Sequence, residues 1–279
     1  MPAMAADWTS ALNRARDHAP FLARALERRP DLARMLAEGA GEEALLAAKQ
    51  VTEADVATAL RRERLGLALV LAVSDLAGAF DLEKVMRELS TFADRALHAA
   101  LAAAIRKRVP DAEPAGMIGL ALGKHGAGEL NYSSDIDPIL LYEPEQLPRR
   151  ERDEPGEAAQ RYARETVRLL SDVTSEGYVF RVDLRLRPAA EVSPLAISLD
   201  SAITHYESSA LAWERAAFIR ARACAGDIGA GEAFLDHIRP FVWRRSLDFG
   251  AIDEVRRLTH RIRDEQRGPR VPEPGYNLK

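Results

Sequence analysis

Cysteine is almost missing from this chain. Cys224 is the only one in 279 residues, so no internal disulfide framework can form, and a reducing, cytoplasmic setting is expected. Long apolar runs are missing as well. The most apolar stretch, LGLALVLAV at residues 65–73, is far shorter than the ~20 residues a membrane span needs. It reads as a buried helix, and no membrane partner is expected. The start, MPAMAADWTSALNRARDHAPF, has no basic end followed by an apolar core, which argues against a signal peptide. There is no basic excess: the net charge of -4 gives no reason to expect nucleic acid as a partner. Histidines are scattered at positions 18, 98, 125, 205, 237 and 260 without the paired spacing of a zinc site, and each reads as a surface or packed residue.

What the chain does have is core. Hydrophobic residues make up 47%, enough for one large domain or two small ones at this length. To about Arg108 the pattern is helical, with apolar residues recurring at threes and fours, as in LARALERRPDLARMLAEG. Thr52 is a plausible helix start and that helix is expected to run to Gly78, with Arg61, Arg62 and Arg64 as a solvated basic flank. A second long helix is predicted from Leu82 to Ile105. RVPDAEPAG is a linker, MIGLALG a buried strand and PILLYE (138–143) another strand. A helix is predicted over 157–176. YVFRVDLRLRP shows the clearest alternation in the chain and reads as a strand. Ser198 can cap the helix DSAITHYESSA, WERAAFIRARACAG continues as helix, and RRSLDFGAIDEVRRLTHRIRDEQRG is a further helix before an irregular tail. The order predicts an α+β fold with a small mixed sheet flanked by helices. Three parts are expected: a helical N-terminal region (1–108), a core (109–198) and a helical C-terminal part (199–279).

The chemistry concentrates in GKHGAGELNYSSDID, residues 123–137. Asp135 and Asp137 stand two apart, so an extended segment points both carboxylates to one face and Ile136 to the other. In the alternating stretch the same geometry sets Phe180, Val182, Leu184 and Leu186 on one face. Arg181, Asp183, Arg185 and Arg187 line the opposite one. Two unit charges about 4 Å apart repel by roughly 4 kcal/mol at an effective dielectric near 20, so a trio with Asp183 needs protonation or a cation. Magnesium fits best, because it takes carboxylate oxygen together with substrate phosphate. Gly123, Gly126 and Gly128 let backbone amides approach an anion, Ser133 and Ser134 offer hydroxyls, and Arg185 and Arg187 could clamp a phosphate. Arg185 or Arg187 could instead pair with Asp183. A P-loop, a dinucleotide fingerprint and a calcium loop all fail on spacing. Pro138, lacking an N–H, implies an edge or bulge just after the pair. Glu129 and Asn131 are expected to fix the turn; Trp213, Ala217 and Ile219 to pack; and Glu214, Arg215, Arg220 and Arg222 to form a solvated flank.

LGKHGAGELNYSSDID followed by VFRVDLRLRP resembles the nucleotidyltransferase fold of the DNA polymerase β superfamily. It is most similar to the glutamine synthetase adenylyltransferase/adenylyl-removing family, with its patterns GKxGxxELNxSSDID, RVDxRLRP and WERxAxxxAR. HYESSALAWER and ALRRERLGLALVLAVSDLAG are also similar to the family's helices. The resemblance covers roughly residues 50–265. The SSDID spelling, the phenylalanine before RVD and WERAA resemble the family's N-terminal half. That implies deadenylylation, in which phosphate attacks adenylyl-tyrosine on glutamine synthetase and releases ADP. Adenylylation from ATP would use the same residues, and a non-catalytic docking or nucleotide-binding fragment is the reading from another class. The resemblance implies Mg²⁺ held by Asp135, Asp137 and Asp183. It places Gly123 and Lys124 at the nucleotide-side turn and Ser133 and Ser134 near phosphate, in a nucleotidyltransferase core. Glutamine synthetase, ATP or ADP, phosphate and a signalling protein of the PII type are the implied partners. AAEVSP replaces the family's glycine-bearing stretch after LRP, and the chain is expected to be a truncated piece because it stops short of the family's second half.

Overall fold

The computed structural model describes residues 6–53, 55–243, 256, 257 and 260. Proline punctuates the first helices. α1 (Trp8–His18) and α2 (Pro20–Arg28) stop where Pro20 and Pro30 each open the next helix at its first position, where a missing N–H costs nothing, and Gly39 at φ +79° separates α3 (Pro30–Ala37) from α4 (Gly41–Lys49). α5 (Val56–Leu76) starts at Asp55, not Thr52: the Asp55 carboxylate accepts from the Thr58 amide at 2.9 Å. Its end at Leu76 and C-cap Ala77 are followed by Gly78, whose φ of +74° suits glycine. α6 (Leu82–Arg106) is capped by Asp81 in the same way, at 2.8 Å from the Lys84 amide. The apolar run at 65–73 lies inside α5 and is mostly buried. No described helix is long and apolar enough to cross a membrane.

The sheet follows. β1 (Met117–Ala121) leads through the one-turn α7 (Gly123–Ala127) and an irregular loop to β2 (Pro138–Tyr142). After α8 (Pro155–Ser171) come β3 (Ala196–Ser198), α9 (Leu199–Ser208) and α10 (Ala212–Phe218). β4 (Arg222–Gly226), α11 (Ile228–His237) and α12 (Arg239–Val242) complete the described elements. The strand order is β3-β2-β1-β4. β1 is antiparallel to both β2 and β4, and β2 is parallel to β3, so the fold is α+β with a small mixed sheet.

Both sheet faces are covered, which is why every residue of β1 is buried. Met117 and Ala121 join a core continuous with α1–α6 and α8. Ile118 and Leu120 point the other way and pack, with Ile139, Leu141 and Ile197, on Tyr206, Phe218, Phe234 and Ile238. Each such buried aliphatic contributes about 1.5–3 kcal/mol.

Several expectations are corrected. RACAG is strand β4, not helix, because β1 offers it an unpaired edge and its small residues pass close: Cα-linked space at Gly226 is filled by the Met117 carbonyl, 1.9 Å from where a Cβ would lie. The helix expected over 157–176 stops at Ser171 and a turn closes on Gly177 through Thr174. YVFRVDLRLRP forms only a single bridge at Val182 and turns at Arg185. Arg61 is buried, at 3% exposure, and donates to the carbonyls of Ala57, Asp172 and Gly177; Arg64 lies 4.4 Å over the Tyr178 ring. Arg61 and Arg64 therefore form a strut between α5 and the segment leading to Asp183, while Arg62 is exposed as expected and pairs with Glu53. Pro138 is the first residue of β2, paired with Ala121 of β1 and lying before the β3 pairing that begins at Leu140, so its missing N–H costs the β3 ladder nothing. The helix expected in RRSLDFGAIDEVRRLTHRIRDEQRG lies almost wholly outside the described residues.

Candidate active site

One rung of backbone assembles the acidic cluster. Ile136 and Val182 form an isolated parallel bridge: the Ile136 amide donates to the Arg181 carbonyl at 3.0 Å and the Asp183 amide to the Ile136 carbonyl at 2.9 Å. Ile136 is fully buried, so its neighbours Asp135 and Asp137 take the other face, as period-two geometry requires. Parallel register sets Asp135 beside Arg181 and Asp137 beside Asp183. The chemistry follows the register. Arg181 pairs with Asp135 and also donates to the Ser133 carbonyl at 2.7 Å and the Tyr178 hydroxyl at 3.2 Å. Asp137 makes no such ion pair among the described residues: burial first, then the charges of Asp183 and Asp135, push its carboxyl above the ordinary range, against a weaker opposing pull from Arg185 and His125.

Asp183 receives the Arg185 amide at 2.9 Å and the Arg185 guanidinium on both oxygens. Arg185 thus sits at the cluster, largely exposed, paired with Asp183 as one of the two sequence readings had it. Arg187 is elsewhere. Its guanidinium donates to the carbonyls of Leu184, Ala190, Ser193 and Pro194, so it braces its own loop and is not aimed at a phosphate. That loop contains Ala189 at φ +46°, a left-handed conformation an alanine adopts only at a cost of roughly 1–2 kcal/mol. It occupies the AAEVSP stretch.

The glycine turn abuts the acids. Gly123 has φ +58°, and a Cβ there would stand 3.3 Å from the Asp137 carboxylate. Only a residue without a side chain lets the backbone approach so closely. Lys124 is exposed and has no carboxylate partner among the described residues. Ser134 Oγ is spent inside the turn, donating to Asn131 Oδ1 at 2.7 Å, and the Ser133 amide also reaches that oxygen at 3.3 Å. Asn131 therefore fixes the turn, as expected, and Glu129 pairs with Arg220 at 2.8 Å.

Sequence reasoning missed what holds the turn. His125 is fully buried, its Nε2 2.8 Å from Asp94 Oδ1 on α6, and Arg222 on β4 takes both Asp94 oxygens at 2.8 Å each. Arg222 also donates to the carbonyls of His125 and Gly126. Burial pushes the Asp94 carboxyl up, but the His125 and Arg222 bonds outweigh it and hold it below its ordinary range. Cys224 lies near, with ligand atoms of Asp94, His125 and Cys224 all within 4.8 Å. Arg222 already occupies Asp94, and burial pushes the Cys224 thiol up to about 12, so this trio reads as a brace for α7. Glu214, expected on a solvated flank, is buried; it bonds His205 at 2.8 Å and the Leu211 amide at 2.7 Å, while Ile219, expected to pack, is exposed.

The donor set suits a hard divalent cation: three carboxylates, one of which burial and its acidic neighbours hold above its ordinary range, beside a glycine turn. Comparison with known sequences shows the family. The profile of the family described as glutamate-ammonia ligase adenylyltransferase matches residues 9–237. The chain belongs to that family. Among its relatives is a bifunctional glutamine synthetase adenylyltransferase/adenylyl-removing enzyme of Caulobacter vibrioides, 45% identical over 280 residues and covering 93% of this chain. Proteins of the same description from Xanthobacter autotrophicus and Bradyrhizobium diazoefficiens are each 42% identical, covering 89% and 92% of the chain. The match takes in only 28%, 26% and 27% of those three relatives, so the chain spans about a quarter of their length.

Proposed function

We propose that the chain carries the deadenylylating centre of a glutamine synthetase adenylyltransferase/adenylyl-removing enzyme, on a polymerase β-like nucleotidyltransferase core. Inorganic phosphate attacks the adenylyl phosphorus of adenylyl-tyrosine; the bond to the tyrosine oxygen breaks, and ADP and unmodified glutamine synthetase are the products. The observation that carries this reading is the Ile136–Val182 rung, which sets Asp137 beside Asp183 with Asp135 two residues away. The SSDID spelling, Phe180 before RVD and the WERAA segment support the family's N-terminal half and hence this direction.

Asp135, Asp137 and Asp183 would hold Mg²⁺. When bound, it neutralises the carboxylates and withdraws charge from the phosphoryl oxygens. The chain's own groups do the rest. Gly123 keeps the turn backbone against Asp137, leaving room for phosphate oxygens, and Lys124 offers an unpaired ammonium at the same turn. Arg185 neutralises charge on the incoming phosphate. Tyrosine, with a pKa near 10, departs without a strong general acid. The core would be residues 109–198, between helical parts 1–108 and 199–279, acting in the cytoplasm under a PII-type signalling protein.

The test is incubation with AMP-modified glutamine synthetase, Mg²⁺ and phosphate, following ADP. Asp135→Asn with Asp137→Asn should abolish ADP release; release at the parent rate overturns the reading. Nucleotide binding without turnover in the parent chain would make this a docking module instead.

A further inference from the structure

A cleft of about 370 Å³ lies away from the carboxylates. It lies between the C-terminal end of α6 and α8, lined by Lys107, Arg108, Arg150, Arg161, Arg164 and Arg168 around Ala104 and the Tyr162 ring. Arg108 precedes β1, which starts at Met117, and Arg150 follows β2, which ends at Tyr142. Asp137 stands at the opposite end of β2. Five strand residues at ~3.4 Å each put roughly 15 Å of sheet between the two places.

Carboxylates neutralise this wall only in part. Glu165 takes Lys107 at 3.0 Å and Arg168, and the Arg168 bond above all holds its carboxyl down at about 2. Asp153 takes Arg108 at 2.8 Å and stands 3.3 Å from Arg161. Exposed Glu157 and Asp172 reach Arg161 and Arg168 at 3.4 and 3.8 Å. Arg164 has no carboxylate partner among the described residues, and Arg150 reaches only the Arg108 carbonyl, at 3.4 Å. Arg161 Nε is buried in the wall without a hydrogen-bond acceptor, which costs about 1–3 kcal/mol unless something supplies one, and Nη2, 3.3 Å from Asp153 Oδ1, makes an ion pair there but no well-directed hydrogen bond.

We propose that this cleft binds a small ligand carrying two or more phosphate groups, at a site separate from the carboxylate cluster. The surplus is cationic and five of the six cations are guanidinium forks, which match phosphate oxygens in pairs where an ammonium offers only a point charge. The volume suits a small molecule. The Tyr162 ring, its hydroxyl engaged by the Pro148 carbonyl at 2.8 Å, gives the cleft one apolar wall.

The experiment is calorimetric titration of the chain with inorganic tripolyphosphate in the presence of EDTA, which keeps phosphate from being recruited to the acidic cluster through a cation. One saturable site is expected. It should persist in Asp135→Asn with Asp137→Asn, weaken tenfold or more in Arg150→Gln with Arg164→Gln, and weaken several-fold from 50 to 150 mM salt because the cations are partly exposed. Among the described residues neither arginine makes an ion pair with a carboxylate, and Arg150 acts on Asp153 only through its field, so the double variant should melt close to the parent, and a melting curve verifies that it is folded. Absence of binding, binding that ignores the arginine changes, or citrate binding as tightly as tripolyphosphate each overturns the proposal. No outcome depends on glutamine synthetase, so it stands or falls apart from the deadenylylation reading.

Discussion

His125 Nε2 and Asp94 Oδ1 meet at 2.8 Å across the joint between the glycine turn and α6, with Arg222 closing the other side of the same carboxylate. The glycines of this turn offer no side chains to hold it; His125, its buried polar side chain, ties it to Asp94 on α6, and Arg222 on β4 closes the same carboxylate.

Asp94→Asn should destabilise the chain by about 2–3 kcal/mol at pH 7. That is less than the 3–5 kcal/mol of a fully buried pair, since this carboxylate is partly exposed. The sign with pH is fixed by the direction of the shift. The native carboxyl sits below its ordinary value, so its stabilisation is complete above the unfolded value near 3.9 and is lost as pH falls through the lower native one. Parent and variant should therefore converge in denaturant midpoint toward pH 2–3. A gap that is unchanged there would contradict the assignment.

Two glycines of the turn should respond oppositely in size. A Cβ on Gly126 would lie 2.1 Å from the Arg220 carbonyl oxygen and 2.6 Å from that of Ala121, so Gly126→Ala should cost more than about 3 kcal/mol or prevent folding. Gly128 has open space but φ +73°, so Gly128→Ala should cost only about 1 kcal/mol. Urea midpoints of the two variants give the comparison.

Asp137 is held where its own neighbours repel it. In EDTA at pH 7, Asp137→Asn should be more stable than the parent by about 1 kcal/mol, the usual size of relief at a functional carboxylate. Millimolar Mg²⁺ should raise the melting temperature of the parent and not that of the variant, reversing the order. Thermal melts with and without Mg²⁺ decide; a parent indifferent to the cation counts against the cluster as its holder.

Ala189 offers a simpler test. Its left-handed backbone is tolerated because Val192 and Ser193 donate to its carbonyl at 3.0 and 2.9 Å and Arg187 ties down the same loop. Ala189→Gly should remove the strain and stabilise the chain by up to about 1 kcal/mol, set against glycine's greater freedom when unfolded. Ala189→Val should do the reverse, and equal melting temperatures for the two would show that the loop is not strained.

How much of this was readable beforehand depended on distance along the chain. The shared face of Asp135 and Asp137 needs only period-two geometry, and the caps of the long helices need only three-residue spacings, so these were legible or nearly so. The reach of the strand through Asp183 was overread. Charge alternation continues to Arg187 in the sequence, but the backbone turns at Arg185, and Arg187 spends its donors on local carbonyls. RACAG looked helical because alanine favours helices; pairing with β1 overrides that preference. Arg61 and His125 were unreadable for the same reason: their partners lie 111 to 116 and 31 positions away.

The single rung between Ile136 and Val182 also bears on how the molecule comes together. The paired side chains Asp135 and Arg181 lie 46 positions apart. Closing so long an excursion costs entropy that two backbone hydrogen bonds, at about 1 kcal/mol each, do not offset alone. The docking of α8 on α6 has to come first or come with it. The acids are then late arrivals in folding, and among the first groups to separate when α8 lifts away.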